Sequence, residues 1–323
     1  DLIEEKRAEK KSLIKGEKSG KADLKMKIGR ILEIQANYRC LVEIERSNFI
    51  CQLSGRLKQV NFETRSLVAV GDFVNVDISE NPRIEEILPR KNHISRFSED
   101  SFQKEIIIAS NIDQIIVTTS CKEPDINYSL IDRYICSAQI RNIKPVICIN
   151  KIDLAENKKE IEKNIDFYKN FGYFVILTSA ETGEGLEKLK HILKEKDSVF
   201  SGHSGVGKSS LINYLQPELD LKIGKVSEYS SKGVHTTTHS RLLAWNFGGF
   251  LIDTPGIRTF GLHKNDKDKI PAVFPGFSDL KENCEFNNCT HTHEQNCAVK
   301  KELAENRFPL KRYESYVRLW ESL

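Results

Sequence analysis

The sequence contains no apolar run approaching the roughly 20 residues that span a bilayer, and no leader pattern of the kind that directs secretion. It also lacks a charge imbalance: 49 Lys and Arg face 46 Asp and Glu, for a formal net charge of +3. That balance creates no global basic field, so any contact with nucleic acid must come from local patches. A disulfide framework is missing too. Of the eight cysteines, Cys40, Cys51, Cys121, Cys136 and Cys148 are scattered through apolar segments, as buried thiols in a reducing compartment would be. Cys284, Cys289 and Cys297 instead cluster with two histidines, which points to metal rather than to disulfides. These absences leave a cytoplasmic protein with no membrane partner. Its 323 residues, 39% hydrophobic and 29% charged, suffice for two or three domains.

Residues 1–27 are lysine-rich and interrupted by glycines. They read as a basic flexible tail, either a solvated terminus or an arm that touches RNA. Residues 28–90 hold short alternating runs, "GRILEIQANYRCLVEIE", "NFICQLSG" and "VAVGDFVNVDI", separated by Asn, Gly and Ser turns. Closely spaced strands of this kind suggest a small barrel, with an OB-fold leading and an SH3-like barrel as the other possibility. Arg39, Arg46, Arg56, Lys58 and Arg65 could line a groove for phosphates, and Tyr38, Phe49 and Phe62 could stack on bases; aromatics in a small barrel also serve as core.

From residue 91 to 263 the period changes. "NIDQIIVTTS", "KPVICIN", "GYFVILTSA" and "SVFSG" read as strands, with helical spacing in "NYSLIDRYICSAQIRN", around 156–171 and over 184–196. Strand–helix alternation means a parallel sheet with crossover helices. The fourth strand feeds Gly202, His203, Ser204, Gly205, Val206, Gly207, Lys208, Ser209, Ser210, which matches G-x-x-x-x-G-K-[ST] with the required strand before it and helix after it. The glycines let backbone N–H groups curl around phosphate oxygens. Lys208 reaches the β- and γ-phosphates, the Ser209 hydroxyl ligates Mg²⁺, and the helix N-terminus favours negative charge.

Asn150-Lys151-Ile152-Asp153, directly after the strand "KPVIC", identifies the base. The Asp153 carboxylate can accept both the N1–H and the 2-amino hydrogens of guanine, whereas adenine offers neither donor there. Asn150 can bond the purine edge and brace the phosphate loop, and the Lys151 stem can cover a base face. Thr178-Ser179-Ala180, at the next strand end, can place a backbone N–H near guanine O6. Asp253-Thr254-Pro255-Gly256 ends a further strand, the place for an acid that holds Mg²⁺ through water and a glycine that senses the γ-phosphate. In the intervening run "GVHTTTHS", Thr238 is the first choice and Thr237 the second for closing over Mg²⁺.

The motifs run base reader, base clamp, phosphate loop, threonine switch, D-x-x-G. A conventional GTPase has the same cycle cut at another point, so the helix over 184–196 here joins the conventional end to the conventional first strand. The chain thus resembles the circularly permuted GTPases that assist late assembly of the bacterial small ribosomal subunit. The resemblance rests on "NIDQIIVTTS", "INKIDL", "SGVGKSSLIN", "HTTTHSRL" and "IDTPGIRTFGL", and spans roughly residues 28–320. It implies a multidomain α/β chain with an N-terminal OB-fold β-barrel, a circularly permuted P-loop GTPase domain, and a C-terminal zinc-binding helical module over 264–323. It also implies contact with small-subunit rRNA and GTP hydrolysis to GDP stimulated by that subunit. The chain is expected to act as a monomer.

The C-terminal cluster, "CEFNNCTHTHEQNC", spaces Cys284, Cys289, His291 and Cys297 as a closed tetrahedral set for one structural Zn²⁺. On chemistry alone His293 would serve nearly as well as His291; the resemblance favours His291. Lys300, Lys301, Arg307, Lys311, Arg312 and Arg318, on a helix expected to follow, are further candidates for rRNA phosphates. Ile257 stands where Ras-like enzymes carry a water-orienting Gln, so unassisted hydrolysis should be slow. His235, in the switch run, is the candidate replacement on loop position and on resemblance, with His203 the weaker competitor; Lys208 completes the catalytic pair. Two other classes of function share these motifs. A GTP-dependent metallochaperone would deliver the metal of the C-terminal cluster. A passive RNA-binding protein would have lost its GTPase, which the intact Lys208, Ser209, Asp153 and Asp253 argue against.

Overall fold

The computed structural model describes residues 25–59, 67–97, 105–221, 240–253 and 261–323. The first described strands alternate inward and outward residues. β1 (Met26–Gln35), β2 (Arg39–Ile44), β3 (Ser47–Leu53), β4 (Phe73–Asp77) and β5 (Arg83–Ile87) send Ile31, Cys40, Val42, Val74, Val76 and Ile84 into a common core. The order β1-β2-β3-β5-β4 returns to β1 through a β1–β4 pairing, which closes the barrel, and β3–β5 is its one parallel pairing. That closure is OB-like. β1 can serve neighbours on both sides because it bulges between Ile31 and Glu33, which bends and twists the strand. Gly29 helps: a Cβ there would collide with Val42 and Ile44 across the barrel. A short helix, α1 (Gly55–Gln59), follows β3.

A two-stranded hairpin, β6 (His93–Phe97) and β7 (Glu105–Ser110), leads from the barrel into the α/β domain. There β8 (Gln114–Ser120), α2 (Tyr128–Ile140), β9 (Lys144–Asn150), α3 (Lys158–Asn170), β10 (Phe174–Leu177), α4 (Leu186–Leu193), β11 (Lys196–Ser201), α5 (Lys208–Leu215), β12 (Arg241–Ala244) and β13 (Gly249–Asp253) alternate as expected. Asn127 and Asn157 cap α2 and α3, their side chains accepting from the Leu130 and Glu160 N–H groups, as N-cap residues do. β8 is buried along its whole length and β9 after its first residue, which is why they read as unbroken apolar runs.

The sheet order is β10-β9-β8-β11-β13-β12, all parallel except the antiparallel β12–β13 pair. With β11 counted as the first strand, this becomes six-five-four-one-three-two, the conventional sheet with its sixth and first strands joined and the chain cut between its third and fourth. α4 ends at Leu193, short of the expected 196, because Glu195 turns left-handed (φ 56) and donates its N–H to the Gly248 carbonyl at 2.9 Å.

β12 also pairs with β1, at Glu33↔Arg241, so barrel and α/β sheet form one eleven-stranded surface. The seam is locked by Arg30. Its guanidinium lies 5.1 Å from the ring centres of both Phe73 and Phe250 and meets Asp197 at 2.6 Å. On the other flank, α6 (Ile270–Val273), α7 (Ser278–Lys281), α8 (Ala298–Ala304) and α9 (Leu310–Glu321) pack around Phe274, Phe277, Phe308 and Tyr316. The sequence from Ala298 on reads as a single helix, but α8 and α9 are two: α8 ends at Ala304, Asn306 turns left-handed (φ 57), and Pro309 stands at the N-cap of α9. Among the described residues no helix is long and apolar enough to cross a membrane.

Candidate functional site

The phosphate loop is positioned by β11, whose Val199 and Phe200 are buried, and by α5, whose Leu211, Ile212 and Leu215 pack below it. Between them the chain turns through Gly202 (φ 148), Gly205 (φ 82) and Gly207 (φ 89). A Cβ at Gly202 would strike the Thr118 carbonyl, and one at Gly207 would strike the Asn150 amide. Glycine is needed at both for steric as well as conformational reasons. Val206 is the buried anchor of the loop, while His203, Ser204 and Gly205 face outward. Lys208 folds back over the loop, donating from Nζ to the Gly202 carbonyl at 2.8 Å and the His203 carbonyl at 2.7 Å. Ser209 and Ser210 sit half-buried on the first turn of α5.

Asn150 ties the site together. Only 1% exposed, it donates from Nδ2 to the Val206 carbonyl at 3.0 Å. Its Oδ1 accepts from the Thr178 hydroxyl and the Ala180 N–H, both at 3.3 Å. One amide therefore joins the 202–209 loop, the Asn150–Asp153 turn and the Thr178–Ala180 segment. Lys151 adopts a left-handed conformation, φ 60, and its Nζ is held by the Glu123 carbonyl. Ile152 is buried and donates its N–H to the Thr178 carbonyl at 3.1 Å. Asp153 is exposed on the turn Ile152–Leu154, where its carboxylate is open to a ligand. Ser179 is buried, its hydroxyl accepting from the Thr182 N–H at 3.1 Å.

Asp253 closes β13 at the same edge of the sheet and is faced by Arg241, whose Nε lies 3.5 Å from Oδ2. The oxygen donors Ser209 and Asp253 are the hard ligands that suit Mg²⁺. His235, Thr237, Thr238, Gly256 and Ile257 lie outside the described residues.

Sequence reasoning missed two neighbours of these motifs. Cys121 donates from Sγ to the Lys151 carbonyl at 2.7 Å, and Arg241 faces Asp253. Both stand at strand ends whose register partners are motif residues, Ser120↔Asn150 and Arg241↔Asp253. Laying the ends of adjacent strands side by side would have found them.

In the C-terminal module the ligand atoms of Cys284, Cys289, His291 and Cys297 all lie within 4.8 Å of one another. His291 Nδ1 is 3.3 Å from Cys297 Sγ and 3.6 Å from Cys284 Sγ. His291 is fully buried, and its burial holds the imidazole pKa below its usual value. Three sulfurs and one such nitrogen could hold a metal ion, and the donor set is that of structural zinc. His293 is exposed and turned to the Thr292 hydroxyl, so geometry favours His291.

The ligand loop is braced by Glu294, which accepts from the Thr290 N–H and hydroxyl at 2.6 and 2.8 Å. The Tyr313 hydroxyl donates to the His291 carbonyl at 2.9 Å. One basic candidate must be corrected. Arg312 does not face solvent: it is 5% exposed and pairs with the buried Asp132 at 3.2 Å, because only a buried carboxylate offsets its desolvation. Arg307 is engaged by Glu302 and Glu305, and Lys300 by the Thr292 and Glu294 carbonyls.

The RsgA GTPase family model matches residues 87–263. A small ribosomal subunit biogenesis GTPase RsgA from Flavobacterium psychrophilum is 38% identical over 279 residues, covering 84% of this chain and 85% of that protein. The protein of the same name from Caldanaerobacter subterraneus is 39% identical over 293 residues, 90% of this chain and 94% of its own. Among solved structures, YjeQ from Thermotoga maritima superposes with a TM-score of 0.73 at 30% identity, over 92% of this chain and 98% of that one. YloQ, described as a circularly permuted GTPase, gives 0.70 at 27% identity over 94% and 97%.

Proposed function

We propose, from the premise that this chain belongs to the RsgA GTPase family, that it is a GTP-hydrolysing switch that binds the small ribosomal subunit and assists its late maturation. The observation that carries the nucleotide half of this reading is the Asn150 brace, which joins three loops into one cradle beside an open Asp153 carboxylate. In this reading Asp153 selects guanine and the backbone of residues 202–209 cradles the phosphates, while Lys208 neutralises the β- and γ-phosphates. Magnesium would be held by Ser209, Thr238 and Asp253, and supplies charge neutralisation at the phosphate oxygens. Gly256 senses the γ-phosphate, and His235 orients the attacking water once the subunit is bound.

The subunit half rests on the printed function of the relatives and on exposed barrel groups. Tyr38, Arg39, Arg46, Arg56 and Lys58 are exposed, while Phe49 packs partly into the barrel core; Phe62 and Arg65 lie outside the described residues. The cluster of Cys284, Cys289, His291 and Cys297 holds one structural zinc. With four donors it has no open position for exchange, which disfavours metal delivery. In this reading the chain divides into tail (1–27), barrel (28–90), GTPase (91–263) and zinc module (264–323), and acts as a monomeric, cytoplasmic protein.

Two measurements test the reading. Fluorescent GDP should be displaced by GTP but not by ATP in large excess, and Asp153→Asn should weaken guanine and favour xanthine. Sedimentation with isolated subunits should show tighter binding to small subunits with a GTP analogue than with GDP, weakening with salt. Equal displacement by ATP, or binding independent of nucleotide, would remove the corresponding half.

A further inference from the structure

Three strands meet at the edge of the sheet that carries the nucleotide site. β1 comes from the barrel, β12 follows the threonine switch, and β13 ends in Asp253. Glu33 on β1 is the register partner of Arg241 on β12, and Arg241 is the register partner of Asp253 on β13. Antiparallel partners project their side chains on the same face with Cβ atoms about 5 Å apart. The row therefore reads carboxylate, guanidinium, carboxylate, with one acid in the barrel and the other in the GTPase site. Among the described residues the bond formed is the one to Asp253, at 3.5 Å, with the two side chains 48% and 39% exposed. Among the described residues the Glu33 carboxylate accepts a long contact from the Gln35 amide, at 3.4 Å. Arg241 is thus engaged on one side and has a second carboxylate beside it on the other.

We propose that Arg241 is a positioning residue that changes carboxylates with the metal state of the site. It pairs with Asp253 when no divalent cation is held there and turns to Glu33 when one is. The reasoning is electrostatic. A carboxylate committed to a divalent cation, directly or through a water, has little attraction left for a guanidinium, and a nearby cation repels it. Arg is long, permanently charged and able to fork onto either acid, so the neighbouring Glu33 receives it. The exchange would give the barrel a direct reading of metal occupancy across a single strand. It rests on Asp253 being the magnesium carboxylate.

The test is a magnesium titration of fluorescent GDP binding to the full chain, with thermal melts alongside. Arg241→Gln should lower the half-saturating magnesium concentration about threefold, the ordinary strength of a half-exposed ion pair, because the competitor for Asp253 is gone. Arg241→Lys should restore most of the wild-type value. Glu33→Gln should raise it, since the guanidinium then has only Asp253. In melts, the Glu33→Gln and Arg241→Gln effects should add without magnesium and couple with it. An Arg241→Gln midpoint equal to wild type, with only a lower melting temperature, would make the pair merely structural and overturn the exchange. Asp253→Asn separates the two levels. If that variant titrates like wild type, the magnesium assignment falls and takes the exchange with it. If it loses its magnesium dependence while Arg241→Gln stays unmoved, the exchange alone falls.

Discussion

The GTPase domain is gripped from two sides by unlike attachments. On the barrel side the contact is a strand seam, with one β1–β12 register pair and the Arg30–Asp197 ion pair between two rings. On the zinc-module side almost a whole face of α2 is engaged. Asp132 accepts from Arg312, from the Ser315 hydroxyl at 2.8 Å and from the Tyr168 hydroxyl at 2.7 Å. Ser137 donates to the Gly261 carbonyl at 3.1 Å, and Arg141 meets Asp266 at 3.1 Å.

Three aromatic rings, Tyr128, Phe167 and Tyr168, surround the Arg312 guanidinium. Buried, fully partnered polar groups of this kind have one good arrangement and many costly ones. The barrel is held by one strand pairing and one sandwiched ion pair, whereas the zinc module is held by a network of several buried polar groups. Where the chain enters the C-terminal region it is also pinned to α2, through the Gly261 carbonyl.

The largest break in this contrast should come from the metal. Cys289→Ser, or exhaustive chelation, should remove about one zinc equivalent. With it goes binding free energy on the order of 10 kcal/mol that is also folding free energy. Hydrogen exchange should then rise throughout 270–323 while GDP binding and barrel protection persist. Equal loss of protection in the barrel would abolish the distinction between the flanks.

Next comes Arg312→Met. It leaves the Asp132 carboxylate buried without its cation and should cost about 3–5 kcal/mol in urea unfolding. Adding Asp132→Leu should recover much of that loss, since the buried charge goes too. Arg30→Met should cost less, about 2 kcal/mol, because Asp197 keeps access to water, and the loosening should be confined to β1 and β12 by hydrogen exchange. The smallest effect belongs to His293→Ala, which should leave zinc content and melting temperature unchanged. Loss of metal from that variant would transfer the ligand role from His291.

What could be read in the sequence follows the distance over which each feature is determined. The phosphate loop is a local backbone shape, and Gly202, Gly207 and Lys208 specify it within a few residues of each other. The Cys284–Cys297 cluster is equally local, and its donor chemistry is unmistakable at short spacing. Asn150 and Thr178 are farther apart, yet each marks the end of a parallel strand, and strand ends meet.

Arg312 was misread because its partner lies 180 residues away on α2 and nothing near it in sequence distinguishes a buried Arg from a solvated one. Arg30 escaped notice for the same reason: Phe73, Phe250 and Asp197 come together only through the barrel–sheet seam. The interruption between α8 and α9 is legible in the sequence, since Asn306 tolerates a left-handed turn and the residue before Pro309 disfavours helix.

The order of the strands also has a consequence for how this chain emerges during synthesis. Within the α/β domain, β8, β9 and β10 are made first and can pair as a three-stranded parallel unit. The strand that covers the open side of β8, β11, comes later in the chain, and β13, which covers β11, later still. Until then the nascent chain presents β8, an edge destined for complete burial and rich in Ile, Val and Thr. Such an unpaired apolar edge is a site for wrong pairing. In a conventionally ordered GTPase the central strand is made first and waits for its neighbours; here the neighbours wait for the centre. Re-cutting the cycle thus moves the hazardous moment of folding from the start of the domain to its middle.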